Sequence, residues 1–233
     1  MLKLLVFDLD GTLADTRKDL ARSVNHALGS MGFNPLSLET VVDFVGDGAR
    51  NLLLRSLAAG GAAGKDETAA VDIDAAVAAF LDHYRSHCLG ETAAYPGVQD
   101  SLEKLPGYRK AVLTNKPEAP ARTILTGLGL VSHFSRILGG DNPYGQKPDP
   151  AALRQIMRAE GVLPEETLLI GDGIQDLHAA RRASCRFLAF LGGMGSVSAM
   201  LAETPEATFK DMRYLPEAVA ALAASEPAIE GRK

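Results

Sequence analysis

The sequence predicts an α/β protein: a doubly wound, Rossmann-like parallel-sheet core with an all-helical cap domain inserted after the first strand. Three observations lead there. Residues 3–8 (KLLVFD) form a short apolar run closed by Asp-Leu-Asp-Gly, the pattern of a buried strand that ends in a loop. Residues 15–90 carry helical periodicity almost throughout. After Tyr95-Pro96-Gly97, short apolar runs alternate with helical segments, which indicates parallel strands joined by crossover helices.

Taken in order, the first helix is marked by Leu20, Val24, Ala27, Leu28 and Met31 at helical spacing, with Gly32 as its stop. Further helical patterns cover 38–45, 49–59 and 73–88, the last repeating at Ile73, Val77, Phe80, Leu81, Tyr84 and Cys88. Between them GGAAGKDET (60–68) reads as a surface loop. The later strands are expected at 110–113, 137–138, 167–170 and 186–191, and the helices near 98–105, 117–129, 150–160 and 174–184. Residues 1–14 and 91–226 therefore form the α/β core, 15–90 the helical cap, and 227–233 a flexible tail. In that tail Ile229-Glu230-Gly231-Arg232 resembles a protease-cleavage tag. No repeat of solenoid period is present.

Composition agrees with this organisation. A chain of 233 residues corresponds to about 1.6 typical domains, as one core plus a smaller insert would require. Apolar residues make up 46% and charged residues 23%, which excludes wholesale disorder. The net charge of −5 argues against an extended nucleic-acid or anionic-membrane partner, though not against a small anionic substrate. Cys88 and Cys185 cannot build a disulfide scaffold and suit a reduced compartment. No apolar stretch approaches the ~20 residues of a membrane span, and the N-terminus lacks a signal-peptide pattern. A cytoplasmic protein is expected.

Open α/β sheets place their sites beyond the carboxyl ends of the strands. There the sequence sets Asp8-Leu9-Asp10-Gly11-Thr12, then Thr114-Asn115-Lys116, then Gly171-Asp172 with Asp176 four residues on. Lys147 stands in the loop Gln146-Lys147-Pro148-Asp149-Pro150. Singly, each has a plain alternative: Asp-x-Asp-Gly as turn chemistry, Asp172 as a helix cap, Lys147 as a solvated lysine. Their occurrence together, at successive strand ends, points to a site.

These residues resemble the motifs of the haloacid dehalogenase superfamily of phosphotransferases. DLDGTLADT is similar to its first motif, TNK to the second, KPDP to the third and GDGIQD to the fourth. The likeness covers nearly the whole chain and is greatest to the phosphoglycolate phosphatase branch, through TNKP, the GGD at 139–141, YPGV at 95–98 and VGDGARNLLLRSL in the cap. Three departures stand out: Gly173 where the family often has Ser, Ser184-Cys185 for the usual Ala-Gly, and an unfamiliar Leu191–Gly195 segment.

The resemblance implies a Mg²⁺-dependent phosphatase acting on a small phosphate monoester, 2-phosphoglycolate foremost. Asp8 would attack phosphorus and form an aspartyl-phosphate, while Asp10 would serve as general acid and then base. Mg²⁺ would be held by Asp8, the Asp10 carbonyl and Asp172, with Asp176 assisting. Lys147 and Thr114 would bind phosphoryl oxygens, and Asn115 would hold the same group. Arg50, in the loop Gly46–Arg50 between two cap helices, is the candidate for a substrate carboxylate. His83 and His87, four apart, read as helix surface because no third ligand stands beside them, and Cys88 reads as core. The alternative activity is sugar phosphomutase chemistry on the same scaffold. A phosphoaspartate signalling module or a hydrolytic dehalogenase fits less well, because neither branch has a counterpart of Asp10. Either a monomer or a homodimer is compatible with the sequence.

Overall fold

The computed structural model describes residues 1–61 and 72–224. The 62–68 part of the expected surface loop and the tail at 227–233 lie outside the described residues. Six parallel strands make one sheet: β1 (Leu4–Phe7), β4 (Arg109–Leu113), β5 (Arg136–Leu138), β6 (Thr167–Gly171), β7 (Arg186–Phe190) and β8 (Ala207–Phe209). Two further strands, β2 (Ala14–Asp15) and β3 (Ala93–Ala94), pair antiparallel as a short ribbon. The sheet order is β5-β4-β1-β6-β7-β8, so β1 is central and the winding reverses beside it.

The central strand is buried on both faces, as its uninterrupted LLVF requires. Alternate residues divide between two apolar layers. Leu5, Phe7, Val112, Leu168 and Ile170 face the layer that includes α6 (Glu118–Gly127) and α10 (Leu215–Ala224). Leu4, Val6, Ala111, Leu113 and Leu169 face α7 (Ala151–Glu160) and α8 (Ile174–Ala183). Register sets the site: Phe7 pairs with both Val112 and Ile170. Asp8, Thr114 and Asp172, just beyond these strand ends, consequently emerge at one level of one edge.

Between the ribbon strands run α1 (Arg17–Ser30), α2 (Leu38–Val42), α3 (Gly48–Gly60) and α4 (Ile73–His87), with α1 packed along α4. Ser37 caps α2 and Asp72 caps α4 through side-chain oxygens. The helical pattern expected at 38–45 closes early, at Val42. Two helices, α9 (Val197–Ala202) and α10, and the edge strand β8 have no expected counterpart. α9 and β8 are too short for a periodic signal, and the apolar residues of LPEAVAALAA are too many to mark one face. α5 (Val98–Glu103) completes the set.

The imidazoles of His26, His83 and His87 stack face to face across α1 and α4, with centroid separations of 4.1 Å and 3.9 Å. Parallel rings cannot aim their nitrogens at a common ion, so the pair at i, i+4 is no metal site even with a third histidine beside it. Partial burial, then the neighbouring His26 and His87, hold the His83 ring below its usual range. A base whose folded value is depressed stabilises the fold above its free value and loses that contribution as pH falls through the folded value. The midpoint of urea unfolding is therefore expected to drop less in a His83→Gln variant than in the wild type between about pH 7 and about pH 5. Identical drops in the two proteins would show that protonation of the stack is not linked to folding.

Candidate active site

Asp8 comes directly after β1. Its Oδ1 accepts from Leu9 N at 2.7 Å and from Lys147 Nζ at 2.8 Å. Lys147 Nζ also donates to Asp176 Oδ1 at 2.6 Å and to the Leu113 carbonyl at 2.9 Å, so all three ammonium donors are used. Asp176 is fully buried in the first turn of α8, and its other oxygen accepts from Gly173 N at 3.0 Å. The helix start is thus capped by Asp176, not by Asp172.

Asp172 stands at the end of β6. Its Oδ1 accepts from the Thr12 hydroxyl at 2.7 Å, and its Oδ2 from Met194 N at 2.8 Å and Gly195 N at 2.9 Å. The unfamiliar segment after β7 therefore forms part of the site floor. Two glycines permit this approach. Gly11 has φ +84°, and a Cβ there would lie 2.1 Å from Asp172 Oδ2. A Cβ on Gly195 would lie 2.0 Å from the Asp172 carbonyl oxygen.

Carboxylate oxygens of Asp8, Asp172 and Asp176 lie within 4.8 Å of one another, all buried. Burial raises all three above the ordinary carboxylate range. For Asp172 burial and then the Asp8 charge push it up to about 6. For Asp8 and Asp176 the Lys147 charge opposes the rise without cancelling it. Burial alone would lower Lys147, but Asp176 and Asp8 outweigh it and hold the ammonium above its usual range.

Asp10 is partly exposed to the cavity. Its Oδ1 accepts from the Thr16 hydroxyl at 2.6 Å and pairs with Lys116 Nζ at 3.0 Å. Thr114 is buried on the cavity wall, and its Oγ1 accepts from Lys116 N at 3.1 Å, which leaves its own hydrogen free to donate. The cavity has a volume of about 370 Å³. Its floor holds Asp8, Asp10, Thr114, Lys116 and Asp172, and its opposite wall holds apolar side chains of the helical segment such as Val45, Leu52, Phe80 and Tyr84.

Most of the expected residues are brought together, with two corrections and one displacement. Arg50 is not at the cavity: it lies in the first turn of α3 and pairs with Asp74 at the start of α4, both largely exposed. The α3 turn carries Gly48, Ala49 and Leu52 to the wall and rotates Arg50 away from it. Asn115 lines the cavity, but its side chain is committed to the protein itself. Its Nδ2 donates to the carbonyls of Gly46 and Lys147, both at 2.8 Å, and its Oδ1 accepts from Lys147 N at 2.8 Å, so it ties three loops together. Lys147 and Asp176 stand behind Asp8, not among the residues of the wall. Sequence reasoning missed Thr12, Thr16 and Lys116 as site residues, although all three lie inside the motifs DLDGTLADT and TNK.

Residues 5–190 match the family model for haloacid dehalogenase-like hydrolases. Phosphoglycolate phosphatase 1 of Pseudomonas aeruginosa is 39% identical over 216 residues, covering 91% of this chain and 78% of that protein. Phosphoglycolate phosphatase of Pseudomonas putida is 39% identical over 217 residues, with the same 91% and 78% coverage. Among solved structures, that of a predicted phosphoglycolate phosphatase from Haemophilus somnus superposes with a TM-score of 0.87 at 31% identity, covering 93% of this chain and 97% of that one.

The geometry can be tested at two positions. Gly195→Ala forces backbone apart at a 2.0 Å contact and is expected to cost roughly 1–3 kcal/mol of unfolding free energy in urea titration. Arg50→Ala removes only an exposed ion pair, so stability and KM should each change by less than about twofold in equilibrium terms. A large rise in KM would restore Arg50 to the site.

Proposed function

The chain belongs to the haloacid dehalogenase-like hydrolase family and is a phosphoric monoester hydrolase, and from that premise we propose a Mg²⁺-dependent phosphatase of small monoesters, 2-phosphoglycolate foremost. The observation that carries this reading is the pairing of Asp8 and Asp10 at one cavity floor, with a buried carboxylate cluster directly behind. The Pseudomonas relatives bear the name of the same activity.

The cluster suits a hard divalent ion: its donors are all oxygen, and burial leaves Asp8 and Asp172 costly to ionise without a compensating charge. Asp8 and Asp172 would hold the ion, with the Asp10 carbonyl completing the protein's share and Asp176 acting from behind. When bound, Mg²⁺ supplies positive charge that offsets the carboxylates and the phosphoryl dianion.

Asp8 attacks phosphorus in line; its new P–O bond forms as the ester P–O bond breaks, giving an aspartyl-phosphate. Asp10 gives its proton to the departing alkoxide. Because Thr16 and Lys116 both occupy its Oδ1, Oδ2 is the atom that carries that proton. Asp10 then takes a proton from the water that releases phosphate and regenerates Asp8. Thr114 donates its hydroxyl to a phosphoryl oxygen. Lys147 acts through Asp8, holding the nucleophile in place and adding positive charge beneath it. The helical segment 15–90 acts as a cap whose apolar wall excludes water from the reaction.

This reading includes a cytoplasmic enzyme, monomeric or homodimeric, without nucleic-acid or membrane partners. Among the described residues no helix is long and apolar enough to cross a membrane. A mutase would have to seat a second phosphoryl dianion, yet among the described residues that line the cavity Lys116 is the single cation, too little charge for a dianion among four aspartates. That favours hydrolysis.

Phosphate release from a panel of monoesters, with and without Mg²⁺, tests the proposal. Turnover of 2-phosphoglycolate should require Mg²⁺, and Asp8→Asn should reduce it by at least about a thousandfold with the fold intact. Wild-type rates in that variant would displace Asp8 as nucleophile.

A further inference from the structure

The two buried lysines of the site are satisfied to different degrees. Lys147 Nζ meets three acceptors, as an ammonium requires. Lys116 Nζ, equally buried, meets one carboxylate oxygen, Asp10 Oδ1 at 3.0 Å, and otherwise stands 4.5 Å over the centre of the Tyr84 ring. Tyr84 reaches the cavity from α4; its buried hydroxyl makes no hydrogen bond of good geometry, and the group that acts on it is the Lys116 ammonium itself. With Asp10 and Tyr84 as its neighbours, Lys116 keeps a donor unused, which is costly in a packed interior unless something else takes it. Among the described residues that line the cavity, Lys116 is the single cation, set among Asp8, Asp10, Asp43 and Asp172. Among the described residues, an anionic group on the non-phosphate part of a substrate meets a lining side chain of opposite charge only there.

The spacing restricts the substrate further. Asp10 must reach the ester oxygen, and Lys116 is in direct contact with Asp10. A carboxylate held by Lys116 therefore lies next to the leaving oxygen, as it does when one carbon separates the two.

We propose that Lys116 and the Tyr84 hydroxyl form the subsite that binds the substrate carboxylate, and that they select phosphate monoesters of α-hydroxy acids. This deepens the phosphatase reading and rests on it for the placement of the ester oxygen. The cap contributes Tyr84 and the core Lys116, so a carboxylate bound between them also holds the cap against the core. Burial raises the Tyr84 hydroxyl above its usual range, so it remains a donor.

Binding separates this subsite from turnover. The probes are 3-phosphonopropionate, a non-hydrolysable isostere of 2-phosphoglycolate, and propylphosphonate, which lacks the carboxylate. In calorimetry with Mg²⁺, the wild type should prefer the carboxylated probe by roughly 10- to 100-fold, the worth of hydrogen bonds to a charged group. Lys116→Met should abolish that preference, and Tyr84→Phe, which keeps the ring and its packing, should reduce it several-fold. A preference that survives in Lys116→Met, or is absent from the wild type, overturns the proposal. Should Lys116→Met fail to fold, an undiminished preference in Tyr84→Phe overturns the shared subsite. In turnover, the wild type should favour 2-phosphoglycolate over 3-phosphoglycerate, whose carboxylate lies one carbon further from the ester. Equal kcat/KM for the two would contradict the spacing argument. A preference in binding without any turnover would sink the phosphatase reading and leave the subsite standing.

Discussion

Lys147, enclosed between Asp8 and Asp176 at the carboxyl edge of the sheet, is the contact on which the rest of the site depends. Three buried carboxylates within 4.8 Å repel one another and have little water to offset the repulsion. An ammonium that meets two of them and a main-chain carbonyl makes such crowding tolerable in a packed fold. The central position of β1 makes the crowding unavoidable: its neighbours β4 and β6 end at its own level, so the residues just beyond the three strands converge.

Around that contact, polar side chains fasten the loops, in addition to the apolar anchors Leu9 and Leu13. Thr12 and two main-chain amides after β7 hold Asp172, and Thr16 holds Asp10. Asn115 joins the second strand-end loop to the Lys147 loop and to Gly46 in the helical segment. Each bond fixes a reacting group from a different direction, so the geometry does not rest on any single loop. The glycines at 11 and 195 serve the same end by letting main chain lie against Asp172.

The helical segment faces this polar floor with an apolar wall, interrupted by Asp43 and by Tyr84 over Lys116. Charges below and hydrocarbon above suit chemistry in which a phosphoryl group is held by the core while water is kept out. Both lysines are buried, and the contrast between them is one of surroundings. Lys147 is locked behind the nucleophile, whereas Lys116 lines the cavity floor.

How much of this was legible in the sequence depends on the range of the interaction involved. Strand runs and helical periodicity are local, and they located β1, β4, β6 and β7 within a residue or two. The short elements, β2, β3, β8 and α9, arise from pairing or packing with distant segments and carry little local signal. The acids, Thr114 and Lys147 were legible because their motifs stand at or near strand ends. Which side chain faces the cavity was not, since a helical turn carries Arg50 outward to Asp74 and another brings Tyr84, expected only as part of the apolar repeat of its helix, over Lys116. The α/β order and the set of chemical groups at the strand ends follow from the residue order alone, because both are written in neighbouring residues. Which lysine is sealed behind the nucleophile and which lines the cavity emerges only on folding, because it depends on acceptors supplied by segments far away along the chain.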